Sequence, residues 1–243
     1  MSGKSFFIDT TRCTACRGCQ MACKNWNQNG ASETKNTGSH QNPPDLDGNT
    51  FKLVRFSEVD NGGKVDWYFF PDQCRHCLEP PCKDTILGYT DEGADLDEAT
   101  GAVFYTEKAK EAPFEEVRQS CPYDIPRQAA DGRLVKCTMC IDRVSNGLLP
   151  ACVKICPTGA MNFGERDDML ALANERLGKI KERHSAAQLV DSDQIRVIYL
   201  VTDDPRKYHK TAIAGLAPAK ATTLARSRLF DPARNLLGRL AQG

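Results

Sequence analysis

The sequence predicts an α+β protein made of two small cysteine-built modules with β-hairpin insertions, followed by a C-terminal helix and an extended tail. Three observations predict it. Twelve cysteines in 243 residues fall into tight runs. Short segments rich in β-branched and aromatic residues alternate with Gly- and Asn-containing turns. One stretch near residue 170 repeats its apolar residues at helical steps.

The cysteines read Cys13, Cys16, Cys19, Cys23; then Cys74, Cys77, Cys82; then Cys121; then Cys137, Cys140, Cys152, Cys156. The first run is CxxCxxCxxxC, the bacterial ferredoxin spacing, in which three close thiolates wrap one [4Fe-4S] cluster and the fourth reaches across to another. A proline after the last cysteine completes that signature, and it occurs at Cys121-Pro122 and Cys156-Pro157. Cys13 to Cys23 and Cys137 to Cys156 are two versions of one motif, the second opened so that eleven residues separate Cys140 from Cys152. Pseudo-twofold sharing assigns Cys13, Cys16, Cys19 and Cys156 to a first cluster, and Cys23, Cys137, Cys140 and Cys152 to a second. Cys74, Cys77, Cys82 and Cys121 remain for a third.

In a full second module, Cys82 would be followed four residues later by another cysteine, and that place holds Ile86. Counting back from Cys121 by four, seven and ten residues gives Val117, Phe114 and Glu111. All four absent ligands belong to one cluster, so this module reads as having lost a whole site. Interiors are packed near crystal density. Ile86, Phe114 and Val117 should therefore pack together beside the third quartet while Glu111 turns outward.

Two blander readings compete. Disulfides suit small secreted domains short of core, whereas 243 residues with 40% apolar content can bury a core unaided. Structural zinc is the stronger rival, because Cys74/Cys77 and Cys137/Cys140 are CxxC pairs. The triplet ending at Cys19, with its distant cysteine-proline partner, argues for iron-sulfur.

Lys plus Arg and Asp plus Glu are both 32, so the chain lacks the basic excess of a nucleic-acid binder. Charge is uneven, however: residues 91–116 carry nine acids against two lysines, and 205–243 carry eight Lys/Arg against Asp231. Either stretch reads as a solvated face or as a docking surface for a larger subunit. Residues 1–11 offer only the apolar stretch Phe6, Phe7, Ile8 and no signal-peptide pattern. The longest strongly apolar run, Val197 to Val201, falls far short of the ~20 residues a membrane helix needs.

Lys52 to Phe56 and Val65 to Phe70 flank Asp60-Asn61-Gly62-Gly63 and predict a β-hairpin. Ala102 to Tyr105 predicts a further strand. The polar stretch Asn27 to Asn49 predicts a long exposed loop. Met169, Leu170, Leu172, Ala173, Leu177 and Ile180 predict a helix with one buried face over about Arg166 to His184, followed by a buried strand over Ile195 to Val201. Pro218 and Pro232 break any long helix in the Ala-rich basic end.

The segments TRCTACRGCQMACKNW (11–26), DQCRHCLEPPCK (72–83), CPYDIPR (121–127) and KCTMCIDR with PACVKICPTGAMNFG (136–164) resemble the polyferredoxin subunits of the molybdopterin oxidoreductase superfamily. Within it, three clusters, Trp26 and the FFPDQCRHC run look most like the iron-sulfur (beta) subunit of soluble tungsten or molybdenum formate dehydrogenases. The likeness runs from residue 6 through RVIYL at 196–200. It implies a polyferredoxin-like domain over 1–164 holding three [4Fe-4S] clusters in two interleaved modules (1–30 with 130–164, and 50–129), a packing extension over 165–204 and a basic extended tail over 205–243. It further implies a non-catalytic chain docked on a large subunit that alone carries a tungsten or molybdenum bis-pterin. Formate would be oxidised there, and a multihaem cytochrome c would accept the electrons. Periplasmic location would follow from co-export on the partner's twin-arginine signal. A nitrite, polysulfide or dimethyl sulfoxide reductase is the alternative holoenzyme.

Other residues carry less. His76 reads as exposed rather than functional, Lys154 as undecided between tuning a cluster and facing solvent, and Tyr123, Asp124 and Arg127 as buttresses of the loop around Cys121. No nucleotide-binding loop or Ser/His/Asp constellation has supporting context.

Overall fold

The computed structural model describes residues 3–35 and 38–215. Its frame is a four-stranded sheet of order β8-β1-β10-β9, in which β1 (Lys4–Asp9) is flanked by antiparallel β8 (Met161–Glu165) and parallel β10 (Val197–Val201), with β9 (Gln188–Val190) at the edge. Both faces are covered, which is why β10 is buried throughout and reads as an unbroken apolar run. Strand periodicity sends Phe7, Ile198 and Leu200 to one face, where the helix α6 (Arg166–Lys181) lays down the predicted stripe from Met169 to Ile180. The other face carries Phe6, Ile8, Val197 and Tyr199 against Cys19 and Cys152. The predicted helix ends one turn early, at Lys181, with Asp167 and Asp168 in its first turn and Lys179 and Lys181 in its last, as the helix dipole favours.

The hairpin forms where expected and is longer: β2 (Leu53–Asn61) and β3 (Lys64–Asp72) pair along nine residues, turning at Gly62 and Gly63, whose φ of 65° and 90° suits glycine. Its base delivers Asp72 and Gln73 directly to Cys74. The remaining elements are short: α1 (Gly18–Trp26), α2 (Pro81–Leu87), β4 (Ala94–Leu96) paired with β5 (Val103–Tyr105), α3 (Phe114–Ser120), β6 (Arg127–Gln128) paired with β7 (Leu134–Val135), α4 (Ile141–Val144) and α5 (Ala151–Lys154). The described residues of 27–49 hold no helix or strand, but the loop is pinned: the Gln20 side chain donates to Asn42 O, the Arg127 side chain to Leu46 O, and Leu46 is buried.

Ile86 and Val117 are fully buried in one cluster with Cys82, Ala94, Ala109, Ala112 and Leu134, and Phe114 packs against it; Glu111 is exposed. The expected packing is thus present beside Cys82. The expectation of an extended tail from 205 is corrected for its described part. Asp204 Oδ1 accepts from Arg206 N–H and caps a short helix, α7 (Pro205–Tyr208). Tyr208 and Ala212 are buried, Tyr208 lying 4.8 Å from the Tyr68 ring. Basic, Ala-rich composition had hidden this apolar anchor. Residues 216–243, and with them most of the basic stretch read as a solvated face or a docking surface for a larger subunit, lie outside the described residues. No described helix is long and apolar enough to cross a membrane.

Candidate metal centres

Three of the four CxxC turns are built alike. The residue before the second cysteine, Ala15, His76 or Met139, has φ of 53°, 46° or 62°. For a residue other than glycine this left-handed conformation costs about 1–2 kcal/mol. What it achieves is an amide aimed back at the first sulfur: His76 N–H donates to Cys74 Sγ at 3.4 Å, Met139 N–H to Cys137 Sγ at 3.4 Å, and Ala15 N–H to Cys13. Asp124, at φ 53°, turns the chain after Cys121-Pro122 so that Cys121 accepts from the amides of Tyr123 and Ile125. Strain of this kind collects at functional loops.

The buttresses around Cys121 are as expected. Arg118 Nε meets Asp124 Oδ1 at 2.6 Å, Arg127 ties Asp45 at 2.8 Å, and Tyr123 OH donates to Asp191 Oδ2 at 2.8 Å. Trp26 donates to Asp142 Oδ2 at 2.8 Å and lies 4.1 Å from the Arg143 guanidinium. Lys154 is exposed.

All twelve thiols are free, and the chain gathers them into three groups. Cys13, Cys16, Cys19 and Cys156 line one recess and act on one another electrostatically. Cys74, Cys77, Cys82 and Cys121 line a second. Cys23 faces Cys137, Cys140 and Cys152. The groups lie in a row. Cys137 shares a buried cluster with Cys74, and Cys152 shares one with Cys19, so the Cys23 group stands between the other two.

Burial pushes the Cys13 thiol up to about 11 and those of Cys121 and Cys137 up to about 12, with neighbouring cysteines adding to the rise. Left alone, these sulfurs stay protonated at neutral pH, so a bound metal group must displace their protons. Cys156 is the exception: despite partial burial it is lowered, because amides of Met161, Thr158 and Ala160 and the Thr158 hydroxyl bond to its sulfur.

Sequence reasoning missed several residues at these groups. His76 is wholly buried rather than exposed: its Nδ1 accepts from Val103 N–H at 3.0 Å, and burial, then Lys136 and Arg196, hold it neutral. It sits inward, at the left-handed turn, with its ring held by the Val103 amide. Tyr105 faces the Cys82 sulfur. Lys52 and Lys136 are buried among the groups, although an unpaired buried ion costs several kcal/mol. Adjacency to Cys137 was a signal for Lys136; nothing local marked Lys52.

A family model described as a 4Fe-4S dicluster domain matches residues 65–166. The chain is 55% identical to the formate dehydrogenase subunit beta of Megalodesulfovibrio gigas over 214 residues, covering 87% of this chain and 99% of that one. It is 54% identical to the formate dehydrogenase 2 subunit beta (cytochrome c-553) of Nitratidesulfovibrio vulgaris, covering 86% and 98%. The formate dehydrogenase-O iron-sulfur subunit of Escherichia coli is 39% identical, covering 83% and 68%.

Proposed function

The chain belongs to the family of formate dehydrogenase beta, iron-sulfur subunits, and from that premise we propose that it is the electron-transfer subunit of a formate dehydrogenase, holding three [4Fe-4S] clusters in its three cysteine quartets. One observation carries the reading: three four-thiol groups lie in a row, coupled through Cys74/Cys137 and Cys19/Cys152, each pair sharing one buried cluster. When bound, each cluster supplies a one-electron carrier.

The residues present fit such groups. Four cysteines line each of two recesses, and among the described residues no three His, Cys, Asp or Glu converge on a single-ion point. That supports cluster-sized guests over lone zinc ions. Backbone amides aimed at Cys13, Cys74, Cys121, Cys137 and Cys156 stabilise thiolate charge, and the apolar walls from Val54, Met161 and Ile125 keep water away. Ile86, Phe114 and Val117 pack together beside Cys82, which supports the reading of a lost site.

The proposal extends to a large partner that bears a tungsten or molybdenum bis-pterin and performs the formate chemistry, to a cytochrome c as outside acceptor, and to a periplasmic location reached by co-export with that partner. The relatives' names favour formate over nitrite, polysulfide or dimethyl sulfoxide as the holoenzyme's substrate. The test is anaerobic purification of the native complex with iron analysis and identification of the co-purifying subunit. About twelve irons on this chain, four per cluster, with a pterin-bearing formate-oxidising partner are expected; stoichiometric zinc, or eight or sixteen irons, would overturn the assignment.

A further inference from the structure

Lys52 and Lys136 are the two buried lysines among the described residues, and neither meets a carboxylate there. Lys52 Nζ donates to Gln73 Oε1 and, at 3.3 Å, to Pro71 O. Lys136 Nζ donates to Val103 O and, at 3.2 Å, to Cys137 O, with the Tyr105 ring centroid 4.7 Å away. All these partners are neutral. Three buried arginines are treated differently: Arg55 and Arg75 share Asp72, and Arg127 holds Asp45.

Their positions are as specific as their isolation. Pro71, which Lys52 grips, lines the recess of the first quartet, and the ammonium acts on Cys13 and Cys19 of that quartet and on Cys23, Cys140 and Cys152 of the second. Lys136 lines the recess of the third quartet, is bonded to the carbonyl of Cys137 in the second, and acts on Cys82 and Cys137. Each junction between neighbouring quartets therefore contains one buried ammonium whose charge no acid cancels.

We propose that Lys52 and Lys136 are fixed counter-charges of the electron relay, each standing at one junction and holding both adjoining clusters at a higher potential than their thiolates alone would give. The proposal rests on the three-cluster reading above. Every electron accepted adds one negative charge to a thiolate-ligated cluster, and a nearby uncompensated cation stabilises that reduced form over the oxidised one. Burial sharpens the effect, since solvent and salt that would screen it are excluded. The neutral oxygens of Gln73, Pro71 and Val103 hold the ammoniums in place without cancelling them. Both lysines are positioning residues that act through the clusters.

The test is an EPR-monitored redox titration of the complete holoenzyme, with iron counted in each sample, for the wild type, Lys52→Gln, Lys52→Arg and Lys136→Gln. Cys121→Ala identifies the third cluster's signal. Lys52→Gln is expected to shift the first and second clusters to lower potential and leave the third; Lys136→Gln to lower the second and third and leave the first; Lys52→Arg to stay close to wild type. Full iron with unmoved potentials, or an equal shift of all three, would overturn the proposal. If Lys52→Gln loses iron while Lys52→Arg keeps it, charge is the requirement and the proposal stands; if both lose it, Lys52 acts through shape and the proposal falls. A wild type without three clusters brings down the underlying reading and this inference with it.

Discussion

Replacing Ile86 by alanine tests whether the apolar filling beside Cys82 is structural. Ile86 is fully buried on α2, one turn beyond Cys82, among Ala94, Ala109, Ala112, Val117 and Leu134. Ile86→Ala removes three carbons, worth about 0.8 kcal/mol each as buried methylene equivalents, hence about 2.4 kcal/mol of lost transfer energy. The hole adds to this, because the wall cannot close. A Cβ built on Gly93 would stand only 2.4 Å from Ile86 Cγ2, so the side chain already rests on backbone, and that backbone is tied by Gly93 N–H to Thr90 O and by Thr106 N–H to Gly93 O. A loss of about 3 kcal/mol falls within the usual range for such truncations. At about 2–4 °C per kcal/mol for a chain of this size, the thermal midpoint should fall by about 6–12 °C. The assay is an anaerobic thermal scan of the holoenzyme at one fixed rate, followed by cluster absorbance and iron release. The third cluster should bleach first, because α2 carries both Ile86 and Cys82. A midpoint no lower than that of Val65→Ala, at a position 53% exposed on the hairpin, would refute the reasoning.

Cys121→Ala should lower iron from about twelve to about eight per chain and remove one EPR signal, leaving the other two; loss of the Cys23 group's cluster instead would contradict the quartets. His209 is held near pH 4, by burial first and then by Arg55, and its Nδ1 accepts from Thr211 N–H at 3.3 Å. A depressed folded-state pKa contributes stability that is complete above the unfolded value of about 6.5 and is lost as pH falls toward 4. His209→Gln should therefore flatten the wild-type decline in thermal midpoint across that window, and parallel profiles would exclude the histidine. Ending the chain after Asp204 removes the buried Tyr208 and Ala212 and should lower the thermal midpoint relative to ending it after Gly215; equal midpoints would show that α7 does not anchor the C-terminal end.

Much of this molecule was legible one residue at a time. The hairpin followed from Asp60-Asn61-Gly62-Gly63 between apolar segments, α6 from six apolar residues at helical steps, and β10 from an unbroken apolar run, because turn chemistry and periodicity are local properties. The packing of Ile86, Phe114 and Val117 was legible by comparing one half of the chain with the other. Two readings failed where composition concealed contacts. His76 was read as exposed because a polar residue inside a cysteine loop usually is, yet it sits inward at the left-handed turn. The end beyond Pro205 was read as an extended tail because its apolar anchors are few. The loop 27–49 was read as exposed, and most of its described residues are, although Arg127 and Gln20 pin it.

By itself, then, the sequence determined the donor atoms, their number and their spacing, since thiolate runs of this kind are a covalent record of what they hold. Only the tertiary structure decided that the Cys23 group lies in the middle of the row and that Lys52 and Lys136 occupy the two junctions. The physical reason is range. Spacing along a chain controls which residues share a turn, whereas burial and electrostatic coupling depend on distance through space, and β1 beside β10, paired parallel from Phe6 and Val197 onward, has no trace in local pattern.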